Sequence, residues 1–154
     1  MKTVGFLLMG LVFALVVAYY FLAGRDLMPP VIYDSYADAA SAGVIGKGVW
    51  LPSELPKSAK KIREAHDIDT NEVWFTYRDE LHQIPESCKR TMWNKAIEPR
   101  LRKEKEPRDF LLQVRMLSRS KNVRIYSCRG EEYAYHLAFD PYENLGVGWS
   151  KVDQ

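Results

Sequence analysis

The chain has 154 residues, a formal net charge of +2 at pH 7, and 27% charged against 47% hydrophobic residues. That length holds one domain of ordinary size once an apolar N-terminal segment is set aside. The near balance of charge lacks the clustered basic excess of a nucleic-acid binder, so no nucleic-acid partner is expected.

Residues 4–22 carry no charge and are predominantly apolar. As a helix they span about 28 Å, close to the hydrocarbon thickness of a bilayer. Lys2 precedes the run, while Arg25 and Asp26 cancel just after it. The positive-inside bias then puts the N-terminus in the cytoplasm and the following domain outside. Tyr19, Tyr20 and Phe21 suit the outer interface. The rival reading is a cleaved signal peptide with Val16-x-Ala18 as its small-residue site; the apolar run continues through Leu22, which favours an uncleaved anchor over residues 1–24. Gly10, Ala14 and Ala18 fall on one helix face and suit close packing with a second helix, hence a homo-oligomer through the membrane. The common use of small residues in membrane helices explains the same stripe.

Residues 25–48 read as a linker. Leu27-Met28-Pro29-Pro30 is a stiff spacer, Asp34 is placed to cap a short helix over 35–42, and Gly43 ends it. Gly46 and Gly48 lead to Trp50, a ring of the size that anchors cores. From 49 to 154 the chain reads as the domain proper. Pro52 and Pro56 hold the entry extended, and Ile62 opens a strand. Asp67, Asp69 and Asn71 mark a turn, since each bonds readily to nearby backbone N–H groups. Val73-Trp74-Phe75-Thr76-Tyr77 is a second strand, completing a hairpin with the acidic turn at its tip.

The runs YDSYADAASAG and GVWLPSELPKSAKKIREAHDIDTNEVWFTY, from Tyr33 to Tyr77, carry a resemblance. The segment resembles a group of small bacterial membrane-anchored proteins with the pattern W-[IL]-P-x-x-L-P-x-S-A followed by I-x-E-x-H-x-[IL]-D-T-N and an aromatic strand. The resemblance implies a bacterial inner-membrane protein with one span and a periplasmic or otherwise extracytoplasmic domain. It implies no activity and no catalytic residues.

Pro85 suits the first turn of a helix over 86–97, with Cys88 and Met92 on its inner side at i, i+4 spacing. Residues 98–109, which include Pro99 and Pro107, hold five basic and four acidic side chains, the composition of a solvated surface or of a docking site for a charged partner. Residues 110–117 read as a short helix packed on the sheet. The last third is β, with strands over 123–128, 133–140 and 145–149. Tyr133, Tyr135, Leu137 and Phe139 alternate with Ala134, His136 and Ala138, so the middle strand has one aromatic face. The expected fold is α+β: an antiparallel sheet of about five strands with two or three helices on one face.

Cys88 and Cys128 are the only cysteines, and an oxidising compartment invites their pairing. Two buried thiols are the alternative. Asp67, Asp69 and Asn71 begin like a calcium loop, but Glu72 stands where glycine is needed and Arg78 where a bidentate Glu belongs, so no metal and no cofactor are expected. Glu64, His66, Asp67 and Asp69 form the one cluster able to serve a small hydrolase. His82 and His136 stand apart from it, and motifs such as H-E-x-x-H or G-x-S-x-G are missing. The expected role is therefore non-enzymatic: a membrane-anchored domain that binds a protein partner, an immunity-type inhibitor of a toxin being one specific form. A structural subunit of a membrane complex and the small hydrolase are the rival classes.

Overall fold

The computed structural model describes residues 12–13, 15, 30–46, 49–68, 70–94, 97, 108–130 and 133–150. Its elements are β1 (Val31–Ser35), α1 (Tyr36–Ser41), β2 (Lys60–Asp67), β3 (Glu72–Arg78), β4 (Cys88–Thr91), α2 (Arg108–Arg119), β5 (Arg124–Arg129), β6 (Ala134–Asp140) and β7 (Leu145–Ser150). The strands form one antiparallel sheet of seven, in the order β1-β2-β3-β7-β6-β5-β4. Two meanders, β1 to β3 and β4 to β7, meet where β3 pairs with β7. The α+β reading holds, but with two more strands than the five expected.

Both extra strands sit at the edges, where the local sequence signal is weakest. β1 lies in the expected linker and pairs with β2, Val31 opposite Glu64 and Tyr33 opposite Ile62. β4 replaces the expected helix over 86–97. Pro85 does not open a helix; its carbonyl accepts from the Cys88 N–H at 2.9 Å, which turns the chain into the strand. The i, i+4 pair that suggested an inner helix face is broken, because Met92 is 82% exposed. Pairing with β5 prevails over local helix spacing.

Helices α1 and α2 lie on opposite faces of the sheet, not together on one. Ala39 of α1 packs with Leu51, Leu55, Ile62, Phe75, Tyr77, Tyr135, Leu137 and Phe139. Phe110, Val114 and Leu117 of α2 pack with Trp74, Ile125, Ala138, Val147 and Trp149. Alternation along β3 sorts Phe75 and Tyr77 to the first face and Trp74 to the second. With both faces covered, Val73 to Tyr77 of β3 and Leu145 to Trp149 of β7 are buried throughout. The helix expected over 110–117 is present and somewhat longer. The short helix expected over 35–42 is also present, capped by Ser35 in place of Asp34, with Ser35 Oγ accepting from the Asp38 N–H at 3.2 Å. Gly43 follows at φ +73, the left-handed end that glycine allows.

At the centre of the sheet, β7 gives up side chains so that β3 can lay rings across it. Gly148 stands opposite Phe75, and Gly146 opposite Tyr77. A Cβ on Gly148 would sit 2.1 Å from Phe75 Cζ, and one on Gly146 would sit 2.4 Å from Tyr77 Cε1. The aromatic rings fill the two glycine slots and bring the sheet into contact with the α1 side of the core.

Cys88 and Cys128 face each other across β4 and β5, with Cα atoms 4.0 Å apart, and are joined by a disulfide. The bond joins two neighbouring strands, not a helix and a strand. Among the described residues β4 meets the rest of the sheet through β5 alone, so the bond fastens an edge. Gly10, Ala14, Ala18 and most of residues 4–22 lie outside the described residues, as does the charged stretch 98–107. Among the described residues no helix is long and apolar enough to cross a membrane.

Candidate functional site

The sequence cluster Glu64, His66, Asp67 and Asp69 does not assemble as one group. Strand alternation sends Glu64 and His66 to the α1 face and Asp67 to the other. Glu64 stands opposite Phe75, His66 opposite Val73, and Asp67 opposite Glu72 at the strand end, where both acids are buried. Asp69 lies outside the described residues. In the turn itself, Thr70 Oγ1 donates to Glu72 Oε2 at 3.2 Å, and Asn71 takes a left-handed φ of 54°. Asparagine tolerates that conformation better than most side chains.

What remains is a carboxyl–imidazole pair. Glu64 is 1% exposed, and its Oε1 lies 2.6 Å from His66 Nδ1. Burial raises the Glu64 pKa above its ordinary value, opposed by the hydrogen bond and the charge of His66. Burial thus favours the protonated Glu64 carboxyl relative to a free one. The indole of Trp50 lies flat on the imidazole, ring centroids 3.7 Å apart and planes 4° from parallel.

The loop that carries Trp50 is fixed at several points. Leu51 N–H donates to Val44 O, Gly46 N–H to Leu51 O, and Tyr133 Oη donates to the Trp50 carbonyl at 2.6 Å. Burial raises the pKa of Tyr133, with smaller contributions from Tyr135, Glu64 and Glu54, and that of Tyr33, with a contribution from Glu64. Both phenols therefore stay neutral, and Tyr133 remains a donor. Sequence reasoning gave Trp50 a core role. The structure adds its stack on His66, which no local spacing reveals because sixteen residues and a change of element separate the two rings.

The other two histidines have structural surroundings. His82 Nε2 lies 2.6 Å from Asn144 Oδ1, and its ring meets the Phe139 ring edge-on. His136 is buried with its ring 5.8 Å from that of Trp149. Two acids that the sequence did not single out organise loops: Asp79 accepts from the Leu81 and Gln83 N–H groups, and Asp140 from Tyr142 and Glu143. The signal was there, since each closes a strand ahead of polar or turn-forming residues. Among the described residues no three His, Cys, Asp or Glu side chains stand together as metal ligands.

A family model described as the YbbD head domain matches residues 31–78, the stretch that runs from β1 through β3 and contains Trp50, Glu64 and His66. Among curated proteins and solved structures, none matches the chain.

Proposed function

We propose that the chain is a single-pass, membrane-anchored domain that works outside the cytoplasm by binding a protein partner, and that it is not an enzyme. The observation that carries this reading is the disulfide between Cys88 and Cys128, which fastens an edge strand and belongs to an oxidising compartment. The apolar run of residues 4–22 supports the anchor, and Lys2 supports the orientation. The non-catalytic half is supported by the burial of the Glu64 carboxyl and by the indole that covers one face of His66, which leave the pair poorly placed to meet a substrate.

A surface for the partner is offered by β1, the terminal strand of the described sheet. Val31 and Ile32 are exposed, Ile32 by 60%. An exposed apolar edge strand accepts a strand from another protein through backbone hydrogen bonds. The opposite edge, β4, shows exposed Lys89 and Arg90, which discourage such pairing. An immunity-type inhibitor held at the membrane against a toxin is the specific form that this reading takes. A photo-crosslinking residue at Ile32 should capture one protein in stoichiometric yield from intact cells, while the same residue at Lys89 should capture none. Equal, diffuse labelling from both edges would reject the β1 surface, and a hydrolytic activity abolished by Glu64→Gln with the fold intact would reject the non-enzymatic reading.

A further inference from the structure

We propose that the outer face of α2 is a lipid-facing surface that lays the domain on an anionic bilayer; this rests on the membrane-anchored reading above. Successive residues of a helix turn by about 100°. Phe110, Val114 and Leu117 form the buried stripe, which leaves Leu112 and Met116 on the far side, 59% and 61% exposed. Arg115 and Arg119 share that outer face and are themselves exposed. An amphipathic helix usually turns charge alone to water; here two large apolar side chains one turn apart stand beside two arginines, the arrangement of a helix lying at a headgroup boundary. Leu112 and Met116 also border a groove of about 500 Å³ shared with Arg78 and Leu145. The exposed carboxylate on its rim is that of Glu143, whose backbone carbonyl accepts from Arg78.

The point where the domain begins lies on the α2 side. Pro30, where the described domain begins, shares a cleft with Phe110 and Gln113 in the first half of α2. Leu22, the last residue of the apolar run, is eight residues before Pro30, a reach of at most about 29 Å when fully extended. A tether attached at Pro30 is short enough for the α2 side to reach the bilayer surface. The basic side chains match the negative potential of anionic lipid, and Leu112 and Met116 match the acyl boundary.

The test uses the full chain with Met116→Cys carrying an environment-sensitive fluorophore; the native cysteines are disulfide-bonded and leave the new thiol as the labelling site. The protein is reconstituted in nanodiscs of phosphatidylglycerol with phosphatidylethanolamine, and separately in phosphatidylcholine. The expected result is a blue shift with a several-fold rise in emission in the anionic discs. The rise should be smaller in phosphatidylcholine and reduced by Arg115→Gln with Arg119→Gln, while the same label at Ala40→Cys on α1 should not change. Water-like emission from position 116 in anionic discs overturns the proposal and leaves the anchor standing. Should the chain fail to enter a bilayer, the anchor fails, and the same label is read with anionic vesicles added from outside: a lipid-like signal still supports the surface, and a water-like one overturns it. A blue shift that grows with protein concentration in the absence of lipid overturns it in favour of a second copy of the chain.

Discussion

Gly148→Ala is the sharpest perturbation of the core. The added Cβ would lie 2.1 Å from Phe75 Cζ and 2.5 Å from both Cε atoms, so the ring has to leave its place across β7. Phe75 is 1% exposed and its ring lies 5.9 Å from Tyr135 and 6.4 Å from Tyr77, so a shift there propagates through the aromatic layer. Overpacking of a well-filled core costs about 1–3 kcal/mol. Replacing a strand glycine by alanine returns about 0.5–1 kcal/mol of backbone entropy. The net expectation is a loss of about 1–2 kcal/mol. Urea unfolding of the full chain in detergent, followed by tryptophan fluorescence, reads this directly. In a double-mutant cycle, Phe75→Leu should cost less in the Gly148→Ala background than alone, because the smaller side chain makes room for the methyl. A Gly148→Ala variant within about 0.5 kcal/mol of the parent, or strict additivity of the two changes, would refute the ring-in-slot account.

Cys88→Ser should lower stability by roughly 2–4 kcal/mol, since the bond closes a 40-residue span, and alkylation of the unreduced, denatured parent should label neither cysteine. Glu64 has a pKa raised above 4.5 in the fold, so its stabilising contribution is complete below that value and is lost as pH rises through the raised one; urea midpoints should decline across that window, and Glu64→Gln should flatten the decline. An unchanged slope in Glu64→Gln would assign the dependence to other groups. Asn71→Gly should leave the melting temperature nearly unchanged, whereas Asn71→Val should cost about 1–2 kcal/mol because a β-branched side chain resists a φ of 54°. Trp50→Ala should move the His66 ring proton resonances measured by NMR, because the indole now stacked on the imidazole would no longer shield them.

The hairpin of β2 and β3 and the three strands of the last third were legible in the sequence because turn formers bracket the β-branched and aromatic residues of β3, β5, β6 and β7. The apolar set Phe110, Leu111, Leu112, Val114, Met116 and Leu117 made α2 equally plain. β1 and β4 were not legible, and the reason is physical: each is short, half exposed, and held by one neighbour, so its structure is set by pairing and not by its own residues. Placing helices on one face failed for a related reason. β3 and β7 are buried on both sides and lose the alternation that would reveal which face is covered. At the site, Glu64 and His66 were read together with Asp67 because they are adjacent in sequence, while the two-residue period of a strand divides them. The glycines at 146 and 148 could have been read as slots for opposing rings only with the register of β3 against β7 in hand.

The central claim is that the disulfide-fastened domain stands outside the cytoplasm on an uncleaved anchor. A dual reporter fused after Gln154, one half active only outside the cytoplasm and the other only within, measures this most directly in bacterial cells. The account predicts activity of the outside half alone, from a membrane-bound fusion whose mass still includes residues 1–24. Activity of the inside half, or a soluble product lacking those residues, would contradict it.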